Sequence, residues 1–190
     1  MLAALRPGYS RVAQTISALG EVGAPNAIAQ QVNFVVFGAL VLAYSVGLHR
    51  GIGNGAGSKL GPAFVGAFGL GVALAGFFPC DQCADFSSPT YHNVTHGIAA
   101  FIAFFGFLPA PFFLWRRMKA DPSWAGLARW SLAFGIAIVV LEITFNAGSG
   151  TALAGLLQRI EVAAIFVNLE LLAIRLYRQS LATASGPTRG

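Results

Sequence analysis

The stretch LGPAFVGAFGLGVALAGFF at residues 60–78, followed by PCDQCADFSSPTYHNVTH at residues 79–96, decides the fold of this chain. The first part carries no charge and is long enough to cross the hydrocarbon core of a bilayer as a helix, which takes about 20 residues. The second part contains two of the three histidines of the chain, both cysteines and two acids. This pattern predicts a membrane-spanning helix that ends at Pro79 and leads into a polar cluster at the membrane surface.

The composition of the rest of the chain also indicates an integral membrane protein. Charged residues make up 10% of the 190 residues and apolar residues make up 56%, whereas about a quarter of the residues in an average soluble domain are charged. The bases that produce the net charge of +5 lie in short segments between apolar stretches. We therefore interpret them as topology signals and expect no nucleic-acid partner.

Hydropathy predicts an all-α, polytopic transmembrane helix bundle of five spans. Residues 1–30 are expected to form an N-terminal segment on the outer surface, residues 31–178 a single transmembrane domain, and residues 179–190 a disordered cytoplasmic tail. The five predicted spans are residues 28–48, 60–78, 97–115, 127–147 and 153–177.

The distribution of bases predicts the orientation of this multi-pass bundle in the plasma (inner) membrane. The side that carries most of the bases is expected to be cytoplasmic, which places the C-terminus inside and the loop at residues 80–96 outside. Five spans would also place the N-terminus outside, as a short translocated tail. The alternative is that a first span is missing, and such a span would place both termini in the cytoplasm. The cytoplasmic bases are Arg50, Lys59, Arg116, Arg117, Lys119, Arg129, Arg175, Arg178 and Arg189, and the others are Arg6, Arg11 and Arg159.

Five short motifs follow one another along the chain: RPGY at residues 6–9, ISALG at 16–20, FPCDQC at 78–83, HG at 96–97 and GLLQR at 155–159. In this order they resemble the domain of unknown function 998 family of bacterial and archaeal membrane proteins. The resemblance implies a helical bundle, usually of six spans, and assigns no activity. In that family the RPGY segment follows a first span that this chain lacks, which favours a shortened N-terminus.

The polar loop predicts a site made of one acid and two histidines. Ser88 and Pro89 are typical of the N-cap and first position of a helix, so His92 and His96 would share one face of the next helix. Asp81, directly after Pro79, is expected to meet them. Asp81, His92 and His96 are candidate ligands of a divalent metal such as zinc. The alternative is that the histidines only stabilise helix packing by hydrogen bonds.

Glu142 is an ionisable residue inside the predicted fourth span, and Asn146 lies one turn away on the same face. Such a residue in a membrane span is a functional-site hypothesis by default. Glu142 is a candidate fourth metal ligand or general base. The alternative is a structural ion pair between Glu142 and Arg159.

Cys80 and Cys83 are predicted to face an oxidising compartment, where a disulfide is the usual state. A ring this small would mainly fix the turn that carries Asp81. The alternative is a redox-active Cys-x-x-Cys pair with one thiol of depressed pKa.

Three classes of function follow from these residues, and enzyme status stays open. The first is a ligand-binding or accessory membrane protein that recognises a lipid or a membrane subunit, with an apolar cavity lined by Phe101, Phe104 and Phe145. The second is a metal-dependent lipid hydrolase or transferase that uses the Asp81, His92 and His96 set with Glu142 as base. The third is a thiol redox protein that acts through Cys80 and Cys83.

Overall fold

The computed structural model describes residues 2–83 and 89–184, and over these ranges the protein is helical and contains no strand. A 3-10 turn lies at Ser17–Gly20, between the first and second helices. The helices are α1 (Leu2–Leu5), α2 (Ala27–Gly51), α3 (Leu60–Phe77), α4 (Tyr91–Phe107), α5 (Ala110–Met118), α6 (Ala125–Gly148) and α7 (Ala154–Ala184).

Within the described ranges, four helical segments are long and apolar enough to cross a membrane: Ala27–Gly51, Leu60–Phe77, Tyr91–Met118 and Ala125–Gly148. The fifth predicted span, residues 153–177, overlaps α7 and is not confirmed. This helix has 31 residues, but every stretch of 18 of them carries at least three charged residues, and each charge inside a membrane is costly. They are Arg159, Glu161, Glu170, Arg175 and Arg178.

The third span is formed by two helices in succession and begins earlier than predicted. The helix is interrupted between α4 and α5 at Leu108 and Pro109, because proline has no amide hydrogen to continue the helical hydrogen bonds. At the other end of α4, Thr90 is the N-cap and its hydroxyl accepts a hydrogen bond from the Asn93 amide at 3.1 Å. The N-cap predicted at Ser88 lies outside the described residues.

Glycines determine how α2, α3 and α4 pack. A Cβ on Gly38 of α2 would lie 2.4 Å from the Gly69 carbonyl oxygen of α3. A Cβ on Gly71, on α3, would lie 2.3 Å from the Ala103 amide nitrogen of α4. Such close backbone approach is the usual role of small residues in membrane helices.

Helices α5, α6 and α7 form a second group, in which α6 packs along α5 and α7. The two groups meet around a core of large side chains that includes Phe68, Phe107, Leu114, Trp124 and Ile165. In contrast, α4 does not pack closely against α6 or α7. This separation leaves room for the cavities described below.

Large apolar side chains are exposed on the outward surface of every long helix, which suits contact with lipid. Exposed side chains include Leu40 of α2, Leu70 of α3, Ile98 of α4, Ile143 of α6 and Phe166 of α7. The inner faces of α6 and α7 carry buried polar side chains, which are Ser131, Glu142, Gln158, Glu161 and Asn168.

The N-terminal segment lies across the end of the bundle where α3 ends and α4 and α7 begin, which we call the cysteine end. The Val22 amide donates to the Cys80 carbonyl oxygen at 2.9 Å, and the Leu156 amide donates to that of Val12 at 2.9 Å. Arg6 donates to the Ala18 carbonyl oxygen and pairs with Glu21 at 2.5 Å. These contacts fix the segment to the helices.

The predicted disordered tail needs correction in its first part. Helix α7 continues to Ala184, and the Gln179 side-chain amide donates to the Ser123 hydroxyl at 3.2 Å. Residues 179–184 are therefore helical. The remaining residues of the predicted tail lie outside the described residues.

Candidate functional site

A short disulfide loop forms the rim of the site at the cysteine end. Cys80 and Cys83 are joined, with Cα atoms 5.3 Å apart, as the sequence predicts. Both are buried and pack beneath Tyr9 and Ala18 of the N-terminal segment. The side-chain oxygen of Asn93 accepts hydrogen bonds from the Asp81 and Gln82 amides at 3.0 and 3.3 Å. The loop is thus fixed to α4 as well as closed on itself.

Asp81 and His92 meet at the surface of this loop. Their Oδ1 and Nδ1 atoms are 2.8 Å apart, and their side chains are 35% and 44% exposed. The hydroxyl of Thr90 also donates to the Asp81 carboxylate. The hydrogen bond from Thr90 and, to a smaller extent, that from His92 lower the pKa of Asp81. The pair is a solvated surface interaction, and such pairs add little stability.

Acid should weaken this loop through Asp81. Because the pKa of Asp81 is lower in the folded protein than in the unfolded chain, its stabilisation is complete above the unfolded value of about 4 and is lost as the pH falls through the folded value. When the pH is lowered from about 5 to about 3, the melting temperature of the original protein should fall. We expect the fall to be smaller in Asp81→Asn, which has no carboxylate to protonate at this position. Equal falls in the two proteins, measured by circular dichroism, would contradict this role.

His96 does not join Asp81 and His92 but turns into the bundle, where it is 3% exposed. Its Nδ1 lies 2.8 Å from the Phe78 carbonyl oxygen. Since a carbonyl can only accept, Nδ1 is the protonated nitrogen and Nε2 is left as an acceptor. The structure thus brings together two members of the predicted metal set, Asp81 and His92, and separates the third.

A different group surrounds His96. Within the part of the chain that the structure describes, one set of three metal-ligating side chains has all its donor atoms within 4.8 Å of one another: Cys80, Cys83 and His96. All three are buried. Sequence reasoning treated the cysteines and the histidines as separate features, because it could not foresee the direction of the His96 ring.

Glu142 is buried against α7, as its position in the span suggests, but its neighbour is another acid. Its side chain is 3% exposed, and Oε1 accepts a hydrogen bond from the Asn146 side-chain amide at 2.8 Å. Glu161, which is fully buried, interacts with the same carboxyl group. Apart from the carboxyl group of Glu161, the Glu142 Oε2 atom has no hydrogen-bond partner among the described residues. The two acids therefore form an electronegative centre between α6 and α7.

The predicted ion pair between Glu142 and Arg159 is not formed. Arg159 Nη1 donates to the carbonyl oxygens of Arg11, Gln14 and Gly155, each at 2.8 Å. Its Nη2 lies 2.5 Å from the Tyr9 hydroxyl. The guanidinium is directed toward the N-terminal segment because these carbonyls offer it several acceptors at once. Arg159 is a structural clamp and not the partner of Glu142.

Two adjoining cavities open where α4 separates from α6 and α7. The first, which we call the Phe37 cavity, has a volume of about 270 Å³ and lies between α2, α3, α4 and α7. The second, the Phe101 cavity, has a volume of about 250 Å³ and lies between α4 and α6. Both are lined by Ser17, His96, Ala100, Phe104 and Gln158.

The walls of both cavities contain apolar side chains and a smaller number of polar ones. Five phenylalanines line the Phe37 cavity and four line the Phe101 cavity. Those of the Phe101 cavity include Phe101, Phe104 and Phe145, as the sequence predicts. Its polar side chains are Thr15, Ser17, His96, Glu142, Asn146, Ser149 and Gln158. An apolar cavity with a few convergent polar groups is the usual form of a small-molecule site.

Some residues of this site have no clear signal in the sequence. Thr15 and Ser17 belong to the N-terminal segment and line the cavities because contacts of that segment with the helices, those of Arg159 among them, hold it in place. The spacing of Gln158 and Glu161 on one helical face would have indicated that both face the bundle. Asn93 is a further residue that sequence reasoning missed, although it lies between the two histidines.

The fold and site together define a helical membrane protein whose cysteine end carries a buried polar site beside aromatic cavities. A family model matches residues 1–175, and the chain belongs to that family, DUF998, described as a protein of unknown function. Searches of curated proteins and of solved structures gave no significant match.

Proposed function

We propose that this protein binds an amphiphilic molecule inside the membrane and acts as a ligand-binding or accessory membrane protein. The observation that carries the proposal is the pair of adjoining cavities with aromatic walls and a shared polar region at His96 and Gln158. Each is only slightly smaller than the roughly 300 Å³ at which drug-sized sites begin. The apolar chain of a lipid fits the aromatic walls, and its head fits the polar end.

The chemistry of the polar end favours a head that donates hydrogen bonds. Glu142 lines the Phe101 cavity, and the carboxyl group of Glu161, which adds a second acid, is the one partner of its Oε2 side among the described residues. Arg159, two residues before Glu161 in the sequence, is engaged by backbone carbonyls. An ammonium head would donate to this pair of acids and offset its charge, whereas a carboxylate head would be repelled.

The distribution of bases supports an outward orientation for this site. The predicted cytoplasmic side carries nine of the twelve bases, and the cysteine end lies on the opposite side in that arrangement. The proposed ligand would then enter from the outer leaflet of the plasma membrane. The disulfide loop at the rim also fits an oxidising exterior.

Ala100→Phe should abolish ligand binding, because Ala100 lines both cavities and a phenyl ring there would fill the space between them. Binding is measured by native mass spectrometry of the protein in lipid nanodiscs, with dodecylammonium and dodecanoate as probes of equal chain length. We expect the original protein to prefer dodecylammonium by at least about tenfold, which corresponds to about 1.4 kcal/mol. Ala100→Phe should bind neither probe.

Ile98→Phe is the matched control, since it adds a ring to the same helix at a side chain that is 56% exposed. This variant should bind dodecylammonium like the original protein. Equal binding by Ala100→Phe and Ile98→Phe would contradict a ligand in the cavities. Preference for dodecanoate would contradict the assignment of the head.

A further inference from the structure

The sulfur atoms of the disulfide loop and the His96 ring converge at the inner side of the cysteine end. The Sγ atoms of Cys80 and Cys83 and a ring nitrogen of His96 all lie within 4.8 Å of one another. The three residues are 0%, 2% and 3% exposed. We propose that they form a redox-controlled metal site, in which the reduced cysteines and His96 bind a thiophilic divalent cation such as Zn²⁺.

The orientation of His96 supports this assignment. Its Nδ1–H is donated to the Phe78 carbonyl oxygen at 2.8 Å, so Nε2 is the nitrogen that remains to bind a metal. Histidine ligands of metals usually have their other ring nitrogen held by a carbonyl or carboxylate, which fixes the tautomer and the ring direction. Here the carbonyl comes from the end of α3, two residues before Cys80.

The loop between the two cysteines is held in a shape suited to chelation. Asn93 accepts hydrogen bonds from the Asp81 and Gln82 amides, which fixes the two residues between the sulfurs independently of the disulfide. Two sulfurs and one nitrogen would leave one position of a tetrahedral zinc site for another ligand. Since Cys83 and His96 both line the Phe101 cavity, that position would be filled from the cavity.

The oxidation state of the cysteines would control this site. A dithiol reductant would transfer two electrons to the disulfide, forming two cysteine thiols while it becomes a disulfide itself. Binding of Zn²⁺ to the two sulfurs would then release their two protons, because thiolates are the metal ligands. Reoxidation by thiol–disulfide exchange with a disulfide oxidant, which takes up the two electrons and becomes two thiols, would rejoin the two sulfurs and release the metal. His96 belongs both to this site and to the polar region shared by the two cavities, but metal binding by the reduced loop does not require an amphiphile.

The test is metal binding by the full-length protein before and after reduction with a water-soluble phosphine. The chain has only two cysteines, so thiol titration reports directly on this loop. Zn²⁺ is measured by elemental mass spectrometry after gel filtration, and Co²⁺ is used as a spectroscopic probe of thiolate bonds. We expect one metal ion per reduced chain and none per oxidised chain, with thiolate-to-cobalt absorption in the reduced form.

His96→Gln should weaken Co²⁺ binding at least about tenfold, and Cys80→Ser should abolish it. His92→Gln is the matched control, because His92 lies one turn away on α4 but bonds to Asp81, and it should leave binding unchanged. Circular dichroism confirms that each variant is folded. The proposal would be overturned if His96→Gln bound Co²⁺ like the original protein, or if His92→Gln lost more binding than His96→Gln. It would also be overturned if the oxidised chain bound metal, or if the reduced chain bound none.

Discussion

Gly71→Leu should be among the most destabilising single substitutions in this protein. A Cβ at Gly71 would lie 2.3 Å from the Ala103 amide nitrogen and 2.7 Å from the Ala99 carbonyl oxygen. These are backbone atoms of α4, so α3 and α4 would have to move apart. We expect a loss of about 3 kcal/mol or more, since overpacking of a well-packed interior costs about 1–3 kcal/mol and separation of the helices adds to it.

Thermal unfolding of the purified protein in detergent, followed by circular dichroism, measures this loss. Gly97→Leu is the matched control, because Gly97 is also helical and a Cβ there would meet nothing within 4 Å. The control should unfold within a few degrees of the original protein, since leucine is also a better helix former than glycine. Similar melting temperatures for the two variants would contradict the close approach of α3 and α4.

Arg159→Met should release the N-terminal segment from the cysteine end. Arg159 donates to the carbonyl oxygens of Arg11 and Gln14 and bonds to the Tyr9 hydroxyl. Each hydrogen bond to a charged group contributes about 1.5–3 kcal/mol. Loss of one such bond would raise the opened population about tenfold or more. Trypsin cleavage after Arg11 should accelerate by at least that factor.

The position and rate of cleavage are read by mass spectrometry of the intact protein and its fragments. Arg129→Met removes an exposed cation of α6 and should leave cleavage after Arg11 unchanged. Arg159→Lys should lie between the two, because an ammonium keeps the charge but cannot reach the same acceptors with a planar group. Equal cleavage rates in all variants would mean that other contacts hold the segment.

Several elements could be predicted from the sequence because their cause is local. The apolar stretch that became α3 was predicted at residues 60–78 and is a helix at Leu60–Phe77, since length and hydropathy are properties of the segment alone. The Cys80–Cys83 disulfide was predicted because both cysteines were expected to face an oxidising compartment. Membership of the DUF998 family was predicted from motifs spread along the chain.

The site was predicted only in part, because side-chain directions depend on more than one helix. The i, i+4 spacing of His92 and His96 indicated a common face, yet His92 bonds to Asp81 and His96 to the Phe78 carbonyl oxygen. Arg159 was expected to pair with Glu142 because their charges are opposite. The backbone of residues 11–14 supplied better acceptors, and Glu142 met Glu161 instead.

By itself the sequence determined that this is a helical membrane protein, where its apolar segments lie and that its polar chemistry is concentrated between residues 79 and 96. These properties follow from the free energy of transferring each segment into lipid, which depends only on composition and length. The tertiary structure decided that Cys80, Cys83 and His96 meet, and that α4 leaves aromatic cavities beside Glu142. Those outcomes depend on how closely glycines let particular helices approach each other. Such packing involves segments that are distant in the sequence, so it cannot be predicted from the sequence of one segment alone.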